Sequence, residues 1–390
     1  MGNRMKRETI AVHGGHHRTH HGETSEAMFL TSGYVYESAE QAMARFEGED
    51  DGFIYSRYGN PTVASFEERL ALLEGAEKAF ATSSGMAAMF AAMLAPLQAG
   101  DHLLASRALF GSCHHIITEL LPRYGIATSL VDGKNEEEWR ASLQPNTKMI
   151  FCESPSNPCL ELVDLSFLSG LAKDAGALLV VDNVFATPSL QSPIGLGADV
   201  VAYSTTKHID GQGRCLGGAI ITSHKLFEEH YQKFLRNTGP SMSPFNAWVM
   251  LKSLETLDLR VHRACDSAEK IAEFLSAHAK VTRMMYPHHP THPQWELAHS
   301  QMARGGSLIA FDLADRSSSF SCLNKLKLIS ISNNLGDAKS LMTHPASTTH
   351  AKLPEEEKQR LGIGPGTLRL SVGLEHADDL IADLTQALPS

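Results

Sequence analysis

The sequence has no apolar stretch that approaches the roughly 20 residues a membrane-spanning helix needs. It begins with MGNRMKRETIAVHGG, where basic residues are not followed by an apolar segment, so no signal peptide is expected. Basic residues are also in the minority: 34 lysines and arginines stand against 44 aspartates and glutamates, and the formal net charge is −10. Nucleic acids and anionic membranes are bound by basic faces, so neither is expected as a partner.

Cysteine is scarce as well. The six cysteines contain no Cys-x-x-Cys pair and stand at positions 113, 152, 159, 215, 265 and 322. This spacing matches neither a disulfide framework nor a zinc site, and it favours reduced thiols. We therefore expect a cytoplasmic protein.

The length and composition are those of an ordinary globular protein with two or three domains, since 390 residues are 43% hydrophobic and 20% charged. Residues 1–45 lack clear periodicity and contain a histidine cluster, made of His13, His16, His17, His20 and His21. Imidazoles bind metals well, but the glycines around them favour a polar arm. We predict no metal site and assign the cluster no role.

Short apolar runs alternate with helical stretches between about residues 60 and 235. The apolar runs are 78–82, 102–106, 148–152, 177–181, 199–204 and 216–222, and the helical stretches include 63–74, 86–98 and 164–175. This alternation predicts an α/β fold with a mostly parallel sheet covered on both faces. Such sheets bind ligands beyond the carboxyl ends of their strands.

The remaining sequence predicts a smaller α+β domain. Ser243 and Pro244 favour the start of a long helix that extends towards residue 279. We expect strands at 306–313, 326–332 and 366–372, a terminal helix at 376–388, and exposed loops at 315–319 and 354–360. The predicted divisions are thus an arm at 1–45, a large domain at 46–240 and a C-terminal domain at 241–390.

Lys207 and Asp182 carry the strongest chemical signal. Lys207 follows three hydroxyl residues in Ser204-Thr205-Thr206-Lys207, and Asp182 ends an apolar run. A lysine amine can form a Schiff base with the aldehyde of pyridoxal 5′-phosphate (PLP), hydroxyls can bind its phosphate, and a carboxylate keeps its ring nitrogen protonated. Either residue alone is more simply a surface lysine or a strand-end acid. Together, at strand ends, they favour a PLP site.

A second segment predicts part of the phosphate site. Residues 79–82 resemble a strand that turns into a helix through Ser84, Gly85 and Met86. Glycine allows the backbone to approach a ligand closely, and the first N–H groups of a helix bind anions. The signal is weak by itself, but Ser204 and Thr206 supply further phosphate ligands. A dry pocket and a cationic ring should lower the pKa of Lys207, which could then act as a base.

Five motifs occur in order along nearly the whole chain and resemble the Cys/Met-metabolism family of PLP enzymes. They are Tyr55-Ser56-Arg57-Tyr58-Gly59-Asn60-Pro61-Thr62, Ser84-Gly85-Met86, Glu153-Ser154-Pro155-Ser156-Asn157-Pro158, Val181-Asp182-Asn183-Val184-Phe185-Ala186-Thr187-Pro188 and Ser204-Thr205-Thr206-Lys207. The family includes cystathionine γ-synthases, cystathionine and methionine γ-lyases, and sulfhydrylases that form homocysteine. The resemblance implies the type I PLP-dependent transferase fold.

Further segments are most similar to the sulfhydrylase branch that acts on O-succinylhomoserine. They are residues 29–32, 210–214, 239–248 and 334–337. The implied reaction is γ-replacement on this ester by sulfide, which gives homocysteine and succinate in methionine biosynthesis. The alternatives are a cystathionine γ-synthase, an O-acetylhomoserine sulfhydrylase, a γ-lyase, and, least favoured, a binding protein without catalysis.

The resemblance also implies roles for individual residues. Lys207 would bond the cofactor and Asp182 its ring nitrogen, while the phosphate would be bound by Ser84, Gly85, Met86, Ser204 and Thr206. Tyr55 and Arg57 would reach the phosphate of a neighbouring subunit, which implies an active homodimer and suits a homotetramer. A guanidinium matches phosphate oxygens with a planar fork.

Substrate contacts are implied at three positions. Asn157 would lie near the phenolic oxygen of the cofactor, Arg369 would bind the substrate α-carboxylate, and Asn334 would contact it through its backbone. Asn334 stands where other family members have serine.

Two other positions depart from the family pattern. Phe110 replaces a stacking tyrosine, so proton transfer would rely on Lys207 or on Tyr55 of the partner subunit. Ser112 replaces a cysteine of methionine γ-lyases, which weakens that alternative.

Overall fold

A computed structural model of the chain describes residues 5–389. Its larger sheet has seven strands: β1 Lys78–Thr82, β2 His102–Ser106, β3 Ala127–Val131, β4 Thr147–Glu153, β5 Leu178–Asp182, β6 Val200–Tyr203 and β7 Gly218–Thr222. Their order across the sheet is β1-β7-β6-β5-β4-β2-β3. Only β7 runs against its neighbours, because it pairs antiparallel with both β1 and β6. The predicted mostly parallel α/β sheet is therefore confirmed.

Both faces of this sheet are buried. Along β5, Leu179 and Val181 belong to one hydrophobic core, while Val180 belongs to the core on the opposite face. Alternate side chains of a strand point to opposite faces, so an all-apolar run requires cover on both sides. The helices supply this cover and explain why the strands lack polar alternation.

The helices in the first part of the chain precede, separate or follow these strands. They are α1 Arg7–His13, α2 Ala39–Glu47, α3 Pro61–Glu74, α4 Gly85–Leu94, α5 Gly111–His115, α6 Glu136–Ala141, α7 Leu165–Ala175, α8 Thr187–Leu190, α9 His224–Leu226 and α10 Gln232–Thr238. Asn60 accepts hydrogen bonds from the first N–H groups of α3, and Pro61 occupies its first position. Both residues favour a helix start.

A second sheet of five strands forms the C-terminal layer. Its strands are β8 Arg283–Met285, β9 Leu308–Asp312, β10 Ser330–Ile331, β11 Leu341–Thr343 and β12 Thr367–Ser371, in the order β10-β11-β12-β9-β8. The accompanying helices are α11 Pro244–Leu254, α12 Leu257–Ala277, α13 Trp295–Gln301, α14 Arg316–Lys325, α15 Glu355–Arg360 and α16 Ala377–Ala387. Side chains of α12 and α16 form one apolar core with this sheet.

Three local predictions in this region were wrong. The long helix expected from Ser243 is two helices, because the chain turns between α11 and α12, and the Ser243 side chain makes no capping hydrogen bond. The segments predicted as loops at 315–319 and 354–360 lie largely in α14 and α15. Asp315 accepts a hydrogen bond from the Ser318 N–H, so this polar segment is a capped helix start.

The packing of α11 bears on the predicted domain division at residue 240. Helix α11 packs against α3, and Met250, Leu251 and Leu254 belong to the core of the large sheet. The core around the first sheet thus includes residues beyond position 240. The division at 240, and the contact of residues 1–45 with another subunit, stay predictions.

The segment that contains the histidine cluster forms hydrogen bonds with the large domain. His17 lies 2.7 Å from Glu68, and the buried Arg69 donates to the Gly14 carbonyl. Residues 5–389 contain no group of three or more histidine, cysteine or acidic side chains placed to hold a metal ion. Within the same range, no helix combines the length and apolarity needed to cross a bilayer. The six cysteines are all unpaired.

Candidate active site

A cavity of about 280 Å³ lies beyond the carboxyl ends of the central strands. It is lined on one side by the large sheet and its loops and on the other by the C-terminal sheet. Ten of the predicted site residues line it: Ser84, Gly85, Met86, Phe110, Asn157, Asp182, Ser204, Thr206, Lys207 and Arg369. Residues separated by up to 285 positions in the sequence therefore meet where the parallel strands end.

Lys207 stands in the turn that follows β6. Its Nζ donates a hydrogen bond to Asn334 Oδ1 at 2.6 Å, which brings Asn334 to the cavity from the C-terminal domain. Burial and the nearby positive charge of Arg369 lower the pKa of Lys207 to about 8. A substantial neutral fraction near neutral pH suits an amine that must act as a nucleophile or a base.

Asp182 is the last residue of β5 and is almost completely buried. Its Oδ1 accepts the Val184 N–H at 3.1 Å, and no lysine or arginine of the described chain lies within salt-bridge distance. Burial without a counter-charge raises the pKa of Asp182 to about 7. A cation placed in the cavity would lower this pKa again, as a protonated pyridine nitrogen would.

The start of α4 and the segment that follows β6 also line the cavity. Ser84 caps α4 by accepting the Ala87 N–H, and the first N–H groups of a helix lack acceptors within it. Gly85 lies so close to Ser204 that an added Cβ would come within 2.5 Å of the Ser204 side chain. With the Thr206 hydroxyl close by, this is a suitable phosphate site.

Arg369 lies on β12 and is fully buried. Its Nη1 donates to Asn157 Oδ1 at 2.8 Å and its Nη2 to the Asn333 carbonyl at 2.9 Å, while its Nε has no partner among the described residues. No acidic side chain lies within salt-bridge distance of it in the described chain, and burial lowers its pKa to about 10. A buried guanidinium with an unused donor favours an anionic ligand.

These features fit PLP. The cavity offers an amine, a buried acid without a counter-cation and a helix start flanked by hydroxyls. Phe110 lines the same cavity and can stack on an aromatic ring. PLP has an aldehyde, a basic ring nitrogen and a phosphate, and each of these groups has a matching residue.

Tyr55 and Arg57 do not line the cavity of their own chain. Arg57 donates to the Arg236 carbonyl, and its guanidinium lies 4.7 Å from the Tyr58 ring centre. Tyr55 is 41% exposed. Their predicted contact with the phosphate of a neighbouring subunit stays a prediction.

Sequence reasoning missed several residues of the cavity. The largest omission is Glu153, which ends β4 as Asp182 ends β5 and is paired with it in register. An acid that ends an apolar run was the signal that identified Asp182, and the same signal was present at Glu153. Cys113, Asn333, Leu335 and Thr349 also line the cavity. No comparable sequence pattern marks these four.

Comparison with known proteins agrees with this geometry. A family model described as Cys/Met metabolism PLP-dependent enzyme matches residues 8–389. The chain is 53% identical to an O-succinylhomoserine sulfhydrylase of Mycobacterium tuberculosis, over 98% of this chain and 96% of the relative. It is 46% identical to an O-succinylhomoserine sulfhydrylase of Pseudomonas aeruginosa, over 98% of this chain and 94% of the relative.

A solved structure is similar over its whole length. It is a putative O-acetylhomoserine (thiol)-lyase of Campylobacter jejuni with an N′-pyridoxyl-lysine-5′-monophosphate. The TM-score is 0.95 at 34% sequence identity, with 99% of this chain and 100% of that chain covered. The predicted type I PLP-transferase fold is thereby confirmed.

Proposed function

Because the chain belongs to the family of Cys/Met-metabolism PLP-dependent enzymes, we propose that it catalyses γ-replacement on O-succinylhomoserine. Sulfide is the nucleophile, and the products are homocysteine and succinate. The observation that carries the proposal is the 53% identity, over nearly both full lengths, to an O-succinylhomoserine sulfhydrylase. The cavity that joins Lys207, Asp182 and Arg369 supplies the groups that such a reaction needs.

PLP bound in this cavity would supply an electron-accepting ring that makes the α-proton of an amino acid removable. Lys207 would hold the cofactor and, once free, take a proton from the substrate α-carbon and then one from the β-carbon. Its pKa of about 8 allows it to accept and return protons at neutral pH. Loss of succinate from the γ-carbon and addition of sulfide at the same carbon complete the replacement.

Asp182 would hold the ring nitrogen protonated, and its burial strengthens this interaction because water does not screen it. Ser84, Gly85, Met86, Ser204 and Thr206 would bind the phosphate. Phe110 would stack on the ring without a hydroxyl to donate, so proton movement falls to Lys207 or to Tyr55 of the partner subunit.

Arg369 would bind the α-carboxylate of the substrate. Asn157 Oδ1 and the Asn333 carbonyl fix two edges of the guanidinium, so its orientation is set before a ligand arrives. A preorganised guanidinium holds a carboxylate in one position and presents the α-carbon to Lys207. The Asn334 backbone would lie beside the same carboxylate, since its carbonyl is 3.3 Å from Arg369 Nη2.

The active unit is proposed to be a homodimer, with two dimers forming a homotetramer. The arm and α2 expose large apolar side chains: Leu30, Val35, Met43 and Phe46 are 57–94% exposed in the single chain. An exposed apolar surface of this kind is typical of a subunit contact. Tyr55 and Arg57 follow these residues in the sequence and would enter the cavity of the partner.

Coexpression of differently tagged subunits, one with Lys207→Ala and one with Arg57→Ala, tests this arrangement. If Arg57 acts across the interface, a mixed dimer contains one cavity with both native residues and recovers activity that neither variant has alone. Sedimentation analysis reports the oligomeric state of each preparation. A monomeric native enzyme, or mixed dimers without recovery, would contradict the proposal.

The substrate is tested by product analysis. O-succinylhomoserine and O-acetylhomoserine are each supplied with sulfide, with cysteine, or without a thiol, and products are separated by chromatography. The proposal requires homocysteine from the succinyl ester and sulfide at the highest kcat/KM. Cystathionine as the main product would identify a γ-synthase, and α-ketobutyrate with ammonia would identify a γ-lyase.

A cytoplasmic location is also proposed, from the unpaired thiols, and cell fractionation tests it.

A further inference from the structure

Glu153 is a second buried acid beside Asp182. The two residues are paired in register at the carboxyl ends of β4 and β5, and both line the cavity. Paired residues on neighbouring parallel strands project to the same side of a sheet. Glu153 is 4% exposed, so its position has a large desolvation cost and needs compensating contacts.

The compensating contacts come from two separate segments of the large domain, one before α5 and one after β4. Glu153 Oε2 accepts the Phe110 N–H at 2.6 Å, and Oε1 accepts the Asn157 N–H at 2.8 Å. Each oxygen therefore accepts one N–H, a pattern that suits a carboxylate, and hydrogen bonds to an ionised acceptor are stronger than neutral ones. One side chain thus joins the residue placed to stack on the ring with the turn that carries Asn157.

The second tether also reaches the substrate side of the cavity. Asn157 is held by its backbone at Glu153 and by its side chain at Arg369 Nη1. Phe110 is the residue immediately before α5, and Cys113 on that helix also lines the cavity. A shift of the Glu153 carboxylate would therefore move the ring-stacking residue and the Asn157–Arg369 pair together.

We propose that Glu153 is a positioning residue for PLP: its carboxylate holds Phe110 and Asn157 in place relative to Asp182 and would add a second negative charge beside Asp182 when a cationic ring is bound. The charged and titratable groups around it are Asp182, Arg369, Cys113 and Cys152. Burial, and after it the neighbouring Asp182, raise the pKa of Glu153 well above its usual value, and the two N–H bonds and Arg369 offset this rise only in part. A cationic ring in the cavity would favour the ionised form of both acids. The inference concerns the cofactor and does not depend on which homoserine ester is the substrate.

The test uses the full-length protein with Glu153→Gln and Glu153→Asp. Glutamine removes the charge and offers only one acceptor oxygen, so PLP affinity of the cofactor-depleted protein should fall about 10- to 100-fold. Loss of a negative charge should also lower, by about one unit, the pH midpoint of the visible absorbance of the bound cofactor. Aspartate keeps the charge but is too short to reach both N–H groups, so affinity should fall while the midpoint is retained.

Glu74→Gln is the matched control, because Glu74 is equally buried but accepts the Tyr203 hydroxyl at 2.7 Å outside the cavity. It should leave the affinity and the midpoint unchanged. A folded Glu153→Gln protein with native affinity and midpoint would overturn the proposal, even if its melting temperature were lower. If Glu153→Gln is insoluble, Glu153→Asp decides: native affinity overturns the tether, and a shifted midpoint overturns the role of the charge.

Discussion

The two walls of the cavity present buried ionisable groups of opposite sign that form no salt bridge with each other. The wall formed by the large sheet presents Asp182 and Glu153, and neither acid has a lysine or arginine within salt-bridge distance in the described chain. The wall formed by the C-terminal sheet presents Arg369, which has no acid within that distance there. In each case, burial shifts the pKa towards the neutral form.

The difference between the walls indicates where each ligand group belongs. A buried charge without a partner is costly, so a fold keeps one only where something else compensates it. The acidic wall suits the cationic ring nitrogen of PLP, and the basic wall suits an α-carboxylate. Lys207 lies between them, with its amine bonded to Asn334 from the basic wall.

The largest effect is expected from substituting Lys207, whose side chain lies between the two walls. Lys207→Ala should lower kcat by about 10⁴-fold or more, because the variant loses both the cofactor bond and the proton carrier. The visible absorbance of the lysine-bound cofactor should disappear as well. Lys225→Ala, at a largely exposed lysine, is the control and should match the native enzyme. Normal turnover by Lys207→Ala would show that this lysine is not the one bonded to PLP.

The second largest effect is expected from substituting Arg369, the charged residue of the basic wall. Arg369→Ala removes the carboxylate partner and leaves Asn157 without its donor, so kcat/KM should fall about 10²- to 10³-fold. Cofactor absorbance should change little, because the acidic wall stays intact. Arg316→Ala, at an exposed arginine, is the control. If Arg369→Ala lost PLP while its KM for the ester stayed native, the two walls would not have separate roles.

The acidic wall can be broken by Asp182→Asn, which keeps the shape and removes the charge. The variant should retain some PLP but lose about 100-fold in kcat, since the ring nitrogen would no longer be held protonated. Asp174→Asn, at an exposed aspartate, serves as the control.

The same substitution has a consequence for stability without cofactor. Asp182 has a pKa of about 7 in the folded chain and about 3.9 when unfolded, so the folded state binds more protons between these values. Stability of the cofactor-depleted enzyme therefore falls as pH rises through this range. Asp182→Asn should remove that loss and melt on the order of a few degrees higher than the depleted native enzyme at pH 8. The advantage should shrink towards pH 5, and calorimetry at both pH values would measure it.

Sequence reasoning identified the acidic wall only in part. Asp182 was predicted because an acid ended a run of apolar residues, and the strand boundaries of β1 and β2 matched the predicted ranges. Glu153 carried the same signal but its pairing with Asp182 depends on the order of strands across the sheet. Strand order is a long-range property, and a single sequence gives no direct measure of it.

The basic wall was predicted through family resemblance, since Arg369 has no local pattern that marks it. Its surroundings, including Asn333 and Leu335, come from loops of the C-terminal sheet, whose short strands β8, β10 and β11 show weak periodicity. Charge runs misled the prediction there, because the acidic residues of 354–360 form the first turn of α15. Acidic side chains are stabilised at a helix start, so such a run is compatible with a helix as well as with a loop.

The smallest expected effect concerns the pH dependence of kcat, which depends on how the charge of Arg369 acts on Lys207. Lys207 has a pKa of about 8, lowered by burial and by the positive charge of Arg369. Only its neutral form accepts a proton, so kcat should rise about tenfold per pH unit below that value and level off above it. Arg369→Leu removes one of the two causes, so the midpoint in its residual activity should move to higher pH. A native profile that falls through pH 8, or a midpoint that Arg369→Leu leaves in place, would show that Lys207 is not the titrating base.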